Sequence, residues 1–288
     1  MDQNKKIPAT IRMLTLNSSK TLRRALESVK DFEEILIFDG NSTDNTLDIA
    51  KEYGARIEKQ YPDRDEPNVI IQDWAEVVNR VFRAASFDWV FYIDSDETAS
   101  PGLIEEIRQI VADPQIKRHV YQVPNKLIYK GKVIQHAISY PGYQDRFFNK
   151  KADVHYEDSP HYFLAFDHKK YSLGTLKNPW YVHIDDDDVG LKLNFVKLTA
   201  MKDKDQTWWQ FLRWSVFNKL FGIVKIALRA AYMYGRYGFK DSIPPKFVLA
   251  KMYEKLVLFL YLMRQRFIGP LKIDKTQKDK QVIPRTLG

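Results

Sequence analysis

A mixed α/β architecture is what the sequence predicts: a mostly parallel sheet first, a β-rich region behind it, and a helical carboxyl-terminal extension. Three observations carry this expectation. Before residue 96, four apolar runs of strand length are separated by three stretches of helical spacing, the signature of parallel strands joined by right-handed crossovers. The run Trp89 to Asp96, Trp-Val-Phe-Tyr-Ile-Asp-Ser-Asp, reads as a buried central strand whose two acids emerge at the carboxyl edge of the sheet. Beyond residue 200, aromatic and basic residues mix at helical spacing instead.

Taken in order, Ile7 to Leu16 is apolar and strand-like, and Lys20 to Lys30 carries Leu22, Leu26 and Val29 at helical spacing. Glu34 to Phe38 is a second strand ending at Asp39-Gly40, after which Ser42 or Thr43 is placed to cap a helix reaching about Tyr53. Ala55 to Glu58 is a short third strand, and Val69 to Ser86 a long helix before the Trp89 strand. Ser100-Pro101 then opens another helix. Val120 to Val133 alternates around Gly131, and Phe147-Phe148 follows Pro141-Gly142, so the middle of the chain is expected to be β-rich. Trp180 to His183 is a further strand. The expected division is a catalytic domain over residues 1–200, with a nucleotide-sugar half of about 1–115 and an acceptor half of about 116–200. A basic amphipathic extension then covers 201–288.

At 288 residues, 44% of them hydrophobic, the chain can bury a large α/β core. Zero cysteines exclude a disulfide framework and any thiolate metal site. Met1 to Lys6 is polar, so no secretory leader is expected at the amino end. The net charge of +8 conceals an asymmetry: residues 1–200 carry 27 Lys or Arg against 31 Asp or Glu, and residues 201–288 carry 18 against 6. That basic segment has no nucleic-acid reading motif, and nucleic acid is not an expected partner.

Ligands of open α/β sheets bind at the carboxyl edge, and here that edge is rich in polar groups: Thr15-Leu16-Asn17-Ser18, then Asp39, then Asp94 and Asp96. No Gly-x-Gly-x-x-Gly follows the first strand and no Walker loop is present, which disfavours a dinucleotide or P-loop site. A nucleotide held by carboxylates and a metal remains. Asp94 and Asp96, two residues apart, can both reach one hard cation resting on phosphate oxygens; alternatively they are surface acids capping the helix at Ser100.

These pieces in this order and spacing, Thr15-Leu16-Asn17, Asp39-Gly40-Asn41-Ser42-Thr43-Asp44-Asn45-Thr46, Asn79 and Asp94-Ser95-Asp96-Glu97, resemble family 2 glycosyltransferases of the GT-A fold, a Rossmann-like, mostly parallel sheet. The similarity continues in Tyr140-Pro141-Gly142-Tyr143-Gln144-Asp145-Arg146-Phe147-Phe148 and Trp180-Tyr181-Val182-His183, which look like the branch of lipopolysaccharide core β-1,4-glucosyltransferases. It covers roughly residues 7–200. This chain departs at Leu16-Asn17-Ser18, where many relatives have Lys-Asn-Glu, at Val78, where many have Arg, and at Gly142, where the closest branch often has Asp.

The resemblance implies an inverting, metal-dependent transfer from a nucleotide-diphosphate sugar, a UDP-sugar first, to a glycan or lipid-linked glycan acceptor in cell-surface polysaccharide or lipopolysaccharide synthesis. It implies donor contacts from Thr15, Asn17, Asp39, Asn79, Asp94 and Ser95, and Mn2+ or Mg2+ on Asp94 and Asp96. His183 is an additional ligand on that reading, although by composition a lone histidine is more often packed or at the surface. Gln144 and Arg146 fall on the acceptor side. Inversion needs a general base for the acceptor hydroxyl; Asp145 is the candidate, with Glu157 and Asp158 as rivals and an ion pair with Arg146 or a lysine as the structural alternative.

Two other readings stay open. Phe91 to Thr98 fits the strand and Asp-x-Asp-x-Thr of haloacid-dehalogenase-type phosphatases, with Asp94 as nucleophile, and a degenerate domain could serve as a membrane-associated scaffold. In the extension, Trp208, Trp209, Phe211, Trp214, Phe217, Phe221 and Ile226 alternate with Arg213, Lys219, Lys225 and Arg229, leaving no uncharged run near the ~20 residues of a spanning helix. The expected partner is an anionic membrane surface, which would hold the enzyme peripherally on the cytoplasmic face of the cell membrane. The alternative is packing on protein, the catalytic domain or a second copy.

Overall fold

The computed structural model describes residues 5–157, 164–187 and 207–268. They fall into two units, one of residues up to Lys126 together with Pro141–His183, the other of Leu127–Tyr140 and the chain from Ile184 onward. The second unit therefore begins inside the expected acceptor half.

The first unit starts with β1 (Ile7–Thr15), α1 (Ser19–Ser28), β2 (Phe32–Asp39), α2 (Thr46–Glu52), β3 (Arg56–Lys59), α3 (Trp74–Ala84) and β4 (Trp89–Tyr92). β3, β2, β1 and β4 lie side by side, all parallel. β1 is buried along almost its whole length, the continuous apolar run expected of a parallel strand covered on both faces. α1 buries Leu22, Ala25 and Leu26, three and four residues apart. After a turn come β5 (Glu97–Ala99) and α4 (Pro101–Ala112). Ser100 caps α4 by accepting from the Leu103 backbone N–H at 3.2 Å, with Pro101 in the first turn.

The sheet then turns antiparallel. β6 (Val120–Tyr129) is followed by β7 (Lys132–Val133), β8 (Gly142–Asn149), β9 (His155–Tyr156), β10 (Leu164–Ala165), β11 (Leu173–Thr175) and β12 (Trp180–Ile184). β8 inserts between β4 and β6, antiparallel to both, and β12 pairs antiparallel with β5. The Phe148, Val90, Val78, Val81 and Phe82 side chains, all buried, form the core where α3 meets this sheet.

In the second unit, β7 closes a tight hairpin on the end of β6, and both turn residues, Lys130 and Gly131, have positive φ, as a type I′ turn requires. A helical stretch at Trp208–Gln210 passes through a π-helical segment, Phe211–Phe217, into α5 (Asn218–Tyr237); α6 (Pro245–Phe267) packs against it. Among the described residues no helix is long and apolar enough to cross a membrane.

Three expected boundaries differ, each for a visible reason. The Trp89 strand stops at Tyr92, because the Asp94 N–H donates to Glu97 Oε2 at 3.1 Å and the Glu97 N–H to the Asp94 carbonyl at 3.1 Å, closing a turn. The third helix starts at Trp74, not Val69, because Asn68 and Val69 are hydrogen-bonded to Asn41 and Gly40; Asp73 caps it by accepting from the Glu76 N–H at 2.8 Å. Neither Ser42 nor Thr43 caps α2: Ser42 is drawn to the Asp39 carboxylate, and Asp44 accepts from the Thr46 N–H at 3.0 Å instead.

Candidate active site

At the carboxyl ends of β1, β2 and β4, three loops are tied together by side chains. Thr15 donates its hydroxyl to Asp39 Oδ1 at 2.7 Å, across neighbouring strand ends paired in register. Asp39 is 3% exposed and also accepts from the Ser42 N–H at 2.7 Å and the Ser42 hydroxyl at 2.6 Å. A carboxylate has about four acceptor positions, so one remains open. Asn17 sits in the left-handed region, φ 49°, a conformation that asparagine tolerates better than most residues. Its N–H reaches Ser42 Oγ at 2.8 Å, and its side chain bridges the Thr43 N–H and Asn68 Oδ1. The Ser18 and Ser95 hydroxyls lie 2.9 Å apart and join the first loop to the Asp94 turn. Thr15, Asn17, Asp39, Asp94 and Ser95 thus share one edge.

Asn79 is engaged elsewhere: its amide makes two 2.8 Å hydrogen bonds with the backbone of Tyr156, clamping β9 to α3. The strand-to-helix spacing that singles it out in the sequence serves, in this structure, to fasten β9.

Beneath the Asp94 turn lies a buried charged layer that the motif reading did not anticipate. Arg146 is fully buried and grips Glu97 with both terminal nitrogens, Nη2 to Oε1 at 3.0 Å and Nη1 to Oε2. Trp180 Nε1 donates to Glu97 Oε1 at 3.0 Å, and with the Asp94 N–H this makes four donors on one carboxylate. Arg146 is sandwiched by the rings of Trp180 and Tyr92, at 3.9 and 4.2 Å, and its Nε donates to Gln144 Oε1 at 2.9 Å. Burial alone would lower the guanidinium's pKa, but Glu97, Tyr92 and Asp94 reverse this and hold it above its ordinary value. Gln144 and Arg146, expected on the acceptor side, are therefore committed to the layer under the turn, Gln144 also accepting from Tyr92 OH at 3.1 Å.

Arg12, in the middle of β1, is a second buried cation. It lies over Tyr92 at 4.8 Å and Trp74 at 5.5 Å, and its Nε and Nη2 find no hydrogen-bond acceptor among the described residues. Burial lowers its pKa, against Tyr156, Asp94 and Tyr92, which raise it. A charged residue inside an otherwise unbroken apolar strand was the available signal for Arg12; Glu97, directly after Asp-Ser-Asp, was the signal for its layer.

The Asp94 carboxyl is pushed up to about 6, first by burial and then by Glu97, with Arg146 and Arg12 pulling the other way. Its negative charge is under-compensated, and a divalent cation would relieve it. Asp96 follows on the same turn. His183 Nε2 is 2.9 Å from Thr98 Oγ1. Tyr181 pairs antiparallel with Thr98 and Val182 with Glu97; His183 and Asp96 are the next residues beyond that pairing. Among the described residues no three histidine or acidic side chains form a ready metal cluster. The donor chemistry still fits a hard ion, because Mg2+ and similar ions take one or two carboxylates and complete their shell with phosphate oxygens and water.

Asp145 is on β8, opposite Gln122 of β6 at an irregularity in the register. Burial raises its carboxyl above the usual value, against a hydrogen bond from Gln122 and the charge of His168. Its Oδ1 is buried and accepts no hydrogen bond among the described residues. Its neighbour Arg146 is paired with Glu97 instead, so the ion pair with Arg146 is not formed. Glu157 is exposed, on the rim of a surface depression with Lys151, His155 and Lys170. Asp158 lies outside the described residues, as does the side chain of Trp214.

Comparison with known proteins adds three findings. Glycosyl transferase family 2 matches residues 10–167, more than half of the chain. An uncharacterized glycosyltransferase of Rickettsia prowazekii is 33% identical over 144 residues, 48% of this chain and 45% of that protein. The glycosyltransferase SunS of Bacillus subtilis is 27% identical over 153 residues, 46% of this chain and 35% of that protein. The chain spans about half the length, or less, of these curated relatives. Among solved structures, Staphylococcus aureus TarS residues 1–349 in complex with UDP-GlcNAc aligns over 93% of this chain and 94% of its own, at 14% identity and a TM-score of 0.46.

Proposed function

The chain belongs to glycosyl transferase family 2, and from that premise we propose that it moves a hexosyl group, with inversion, from a UDP-sugar to a glycan or lipid-linked glycan. The observation that carries this reading is the cross-tied loop edge: Thr15 and Ser42 hold the Asp39 carboxylate in place, and the Ser18–Ser95 contact joins that edge to the Asp94 turn. One open acceptor position on Asp39 suits the N–H of a uracil ring. The Asp94 turn then takes the diphosphate end of the donor.

Asp94 and Asp96 would hold Mn2+ or Mg2+, with His183 as a further ligand. That ion supplies positive charge against the departing diphosphate. Asp145 receives the proton of the acceptor hydroxyl as its oxygen bonds to the sugar C1; the C1–phosphate oxygen bond breaks on the opposite face, and UDP leaves with the electron pair. Burial raises the Asp145 carboxyl above its usual value, which supports this role because a more basic carboxylate takes a proton more readily. Thr15, Asn17 and Ser95 line the donor side of this reading. Asn79, Gln144 and Arg146 act through what they hold, β9 and the Asp94 turn.

The resemblance to the lipopolysaccharide core branch supports a lipid-linked glycan as the acceptor class, and the basic carboxyl-terminal helices support a meeting place on the anionic cytoplasmic face of the cell membrane. A thermal-shift panel of UDP, GDP, CDP and their sugars with Mn2+ or Mg2+ tests the donor assignment, since only a bound ligand raises the melting temperature. UDP and one UDP-sugar should stabilise the protein, more so with metal. A response to GDP or CDP alone would refute the UDP assignment.

A further inference from the structure

α5 is the helix whose exposed residues cannot be explained by packing within its own unit. Phe217, just before it, and Phe221, Leu228 and Tyr232 on it are each 66–69% exposed, with Val224 at 52% and Leu220 at 40%. With 3.6 residues per turn, these six fall within an arc of about 120° that contains no charged residue. Ile226, Ala230 and Met233, on the opposite side, are buried. Gly222 lies on that inner side, where an added Cβ would come within 3.2 Å of the Lys255 side chain of α6. The apolar arc therefore points away from α6. Lys225, Arg229 and Arg236 run along one flank of it, all exposed, and α5 contains no acidic residue.

We infer that this outward arc of α5 is the surface that meets the bilayer, the helix lying in the plane of the interface with its aromatic and aliphatic side chains among the acyl chains and its flanking cations on anionic headgroups. This deepens, and rests on, the membrane part of the proposed function. Charge decides the occupant. An apolar stripe bordered by cations and free of acids is the pattern of an interfacial helix, and each cation near an anionic surface adds attraction. A second copy of α5 would bring only further cations and no complementary acid.

α6 presents a stripe of its own in Leu249, Tyr253, Leu256 and Leu260, but its charges are spent differently. It carries Glu254, its Lys246 is ion-paired with Asp186, and its Lys251 is half-buried. Its stripe also points away from α5, so one flat surface cannot take both.

The test is co-sedimentation of the full chain with vesicles of mixed phosphatidylglycerol and phosphatidylcholine, and of phosphatidylcholine alone. Three proteins are compared: the parent, Phe221→Glu/Leu228→Glu on α5, and Leu249→Glu/Leu256→Glu on α6, each checked by circular dichroism. The substituted side chains are exposed, so all three should fold. The parent should bind anionic vesicles and release with salt, the α5 pair should partition roughly tenfold or more weakly, and the α6 pair should match the parent. If the parent binds and the α5 pair binds equally well, the face is wrong while the membrane reading stands. If the parent fails to bind anionic vesicles at low salt, both are wrong. Loss of a dimer in the α5 pair, seen by analytical ultracentrifugation without vesicles, would assign the arc to a second copy and overturn the inference.

Discussion

Arg146→Met is the substitution that most directly probes how the Asp94 turn is held. It keeps much of the side chain's volume but removes the guanidinium, leaving Glu97, itself 5% exposed, with a buried charge and two of its four donors gone. Breaking a buried ion pair from one side typically costs about 3 to 5 kcal/mol, a large share of a total stability of about 5 to 15 kcal/mol. For a chain of this size that corresponds to a fall in melting temperature of roughly 6 to 20 °C. Replacing the whole pair with apolar residues, Arg146→Met with Glu97→Met, should recover most of that loss, since no charge is then left buried. Transfer activity should not recover with it, because the Asp94 N–H loses its Glu97 acceptor in the double variant and the turn is no longer fixed. Urea denaturation of the parent, both single variants and the double variant gives the coupling energy directly. A single-variant loss below about 1 kcal/mol, the range of exposed pairs, would refute the argument that this pair is buried and structurally decisive. Full recovery of activity in the double variant would refute its role in holding the turn.

Asp96→Asn should abolish turnover in a protein that remains folded, and EDTA should do the same to the parent; transfer that survives both removes the metal assignment. Asp39→Ala should weaken UDP binding by about tenfold or more, from the ~1.5 to 3 kcal/mol of a hydrogen bond to a charged group, and calorimetry showing equal affinity would take Asp39 out of the site. Asp145→Asn should retain nucleotide affinity and lose transfer. The raised Asp145 carboxyl also has a stability signature. An acid whose folded pKa lies above its unfolded value favours the fold when protonated and loses that contribution as pH rises through the folded pKa. Asp145→Asn should therefore melt higher than the parent at neutral pH, with the difference closing as pH falls below the usual aspartate range. An unchanged or lower melting temperature at pH 7 contradicts that.

Much of the fold could be read in the sequence because it rests on local signals. The parallel half declares itself through apolar runs such as Ile7–Thr15 and through helical spacing such as Leu22, Ala25 and Leu26. One missed boundary was decided by groups distant in sequence, Asn68 and Val69 bonding to Asn41 and Gly40; the other two were decided by side chains only three residues away, Asp39 taking Ser42 and Glu97 closing the Asp94 turn. The same division runs through the site. Loop residues at strand ends, Thr15, Asn17, Asp39 and Ser95, could be named because the edge of a parallel sheet collects them. Arg146 and Gln144 could not be placed from the motif they sit in, because a strand residue's surroundings depend on which strands flank it. β8 lies between β4 and β6, which brings Arg146 against Glu97 from a position 49 residues away.

The acids of this region differ most in how many donors each accepts, and that difference sorts anchors from reactive groups. Asp44 accepts from the backbone of Ser19 and Thr46 and from the Thr46 hydroxyl; burial would lift its pKa, but these bonds hold it down to about 2. Glu97 has four donors and Asp39 three. The bonds these carboxylates already accept hold them in fixed positions. Asp94 is the contrary case, lifted to about 6 by burial and by Glu97, and Asp145 shares its direction with a buried oxygen left open. On the proposed reading a cation satisfies the first and an acceptor hydroxyl the second, while the acids with more donors hold the loops still.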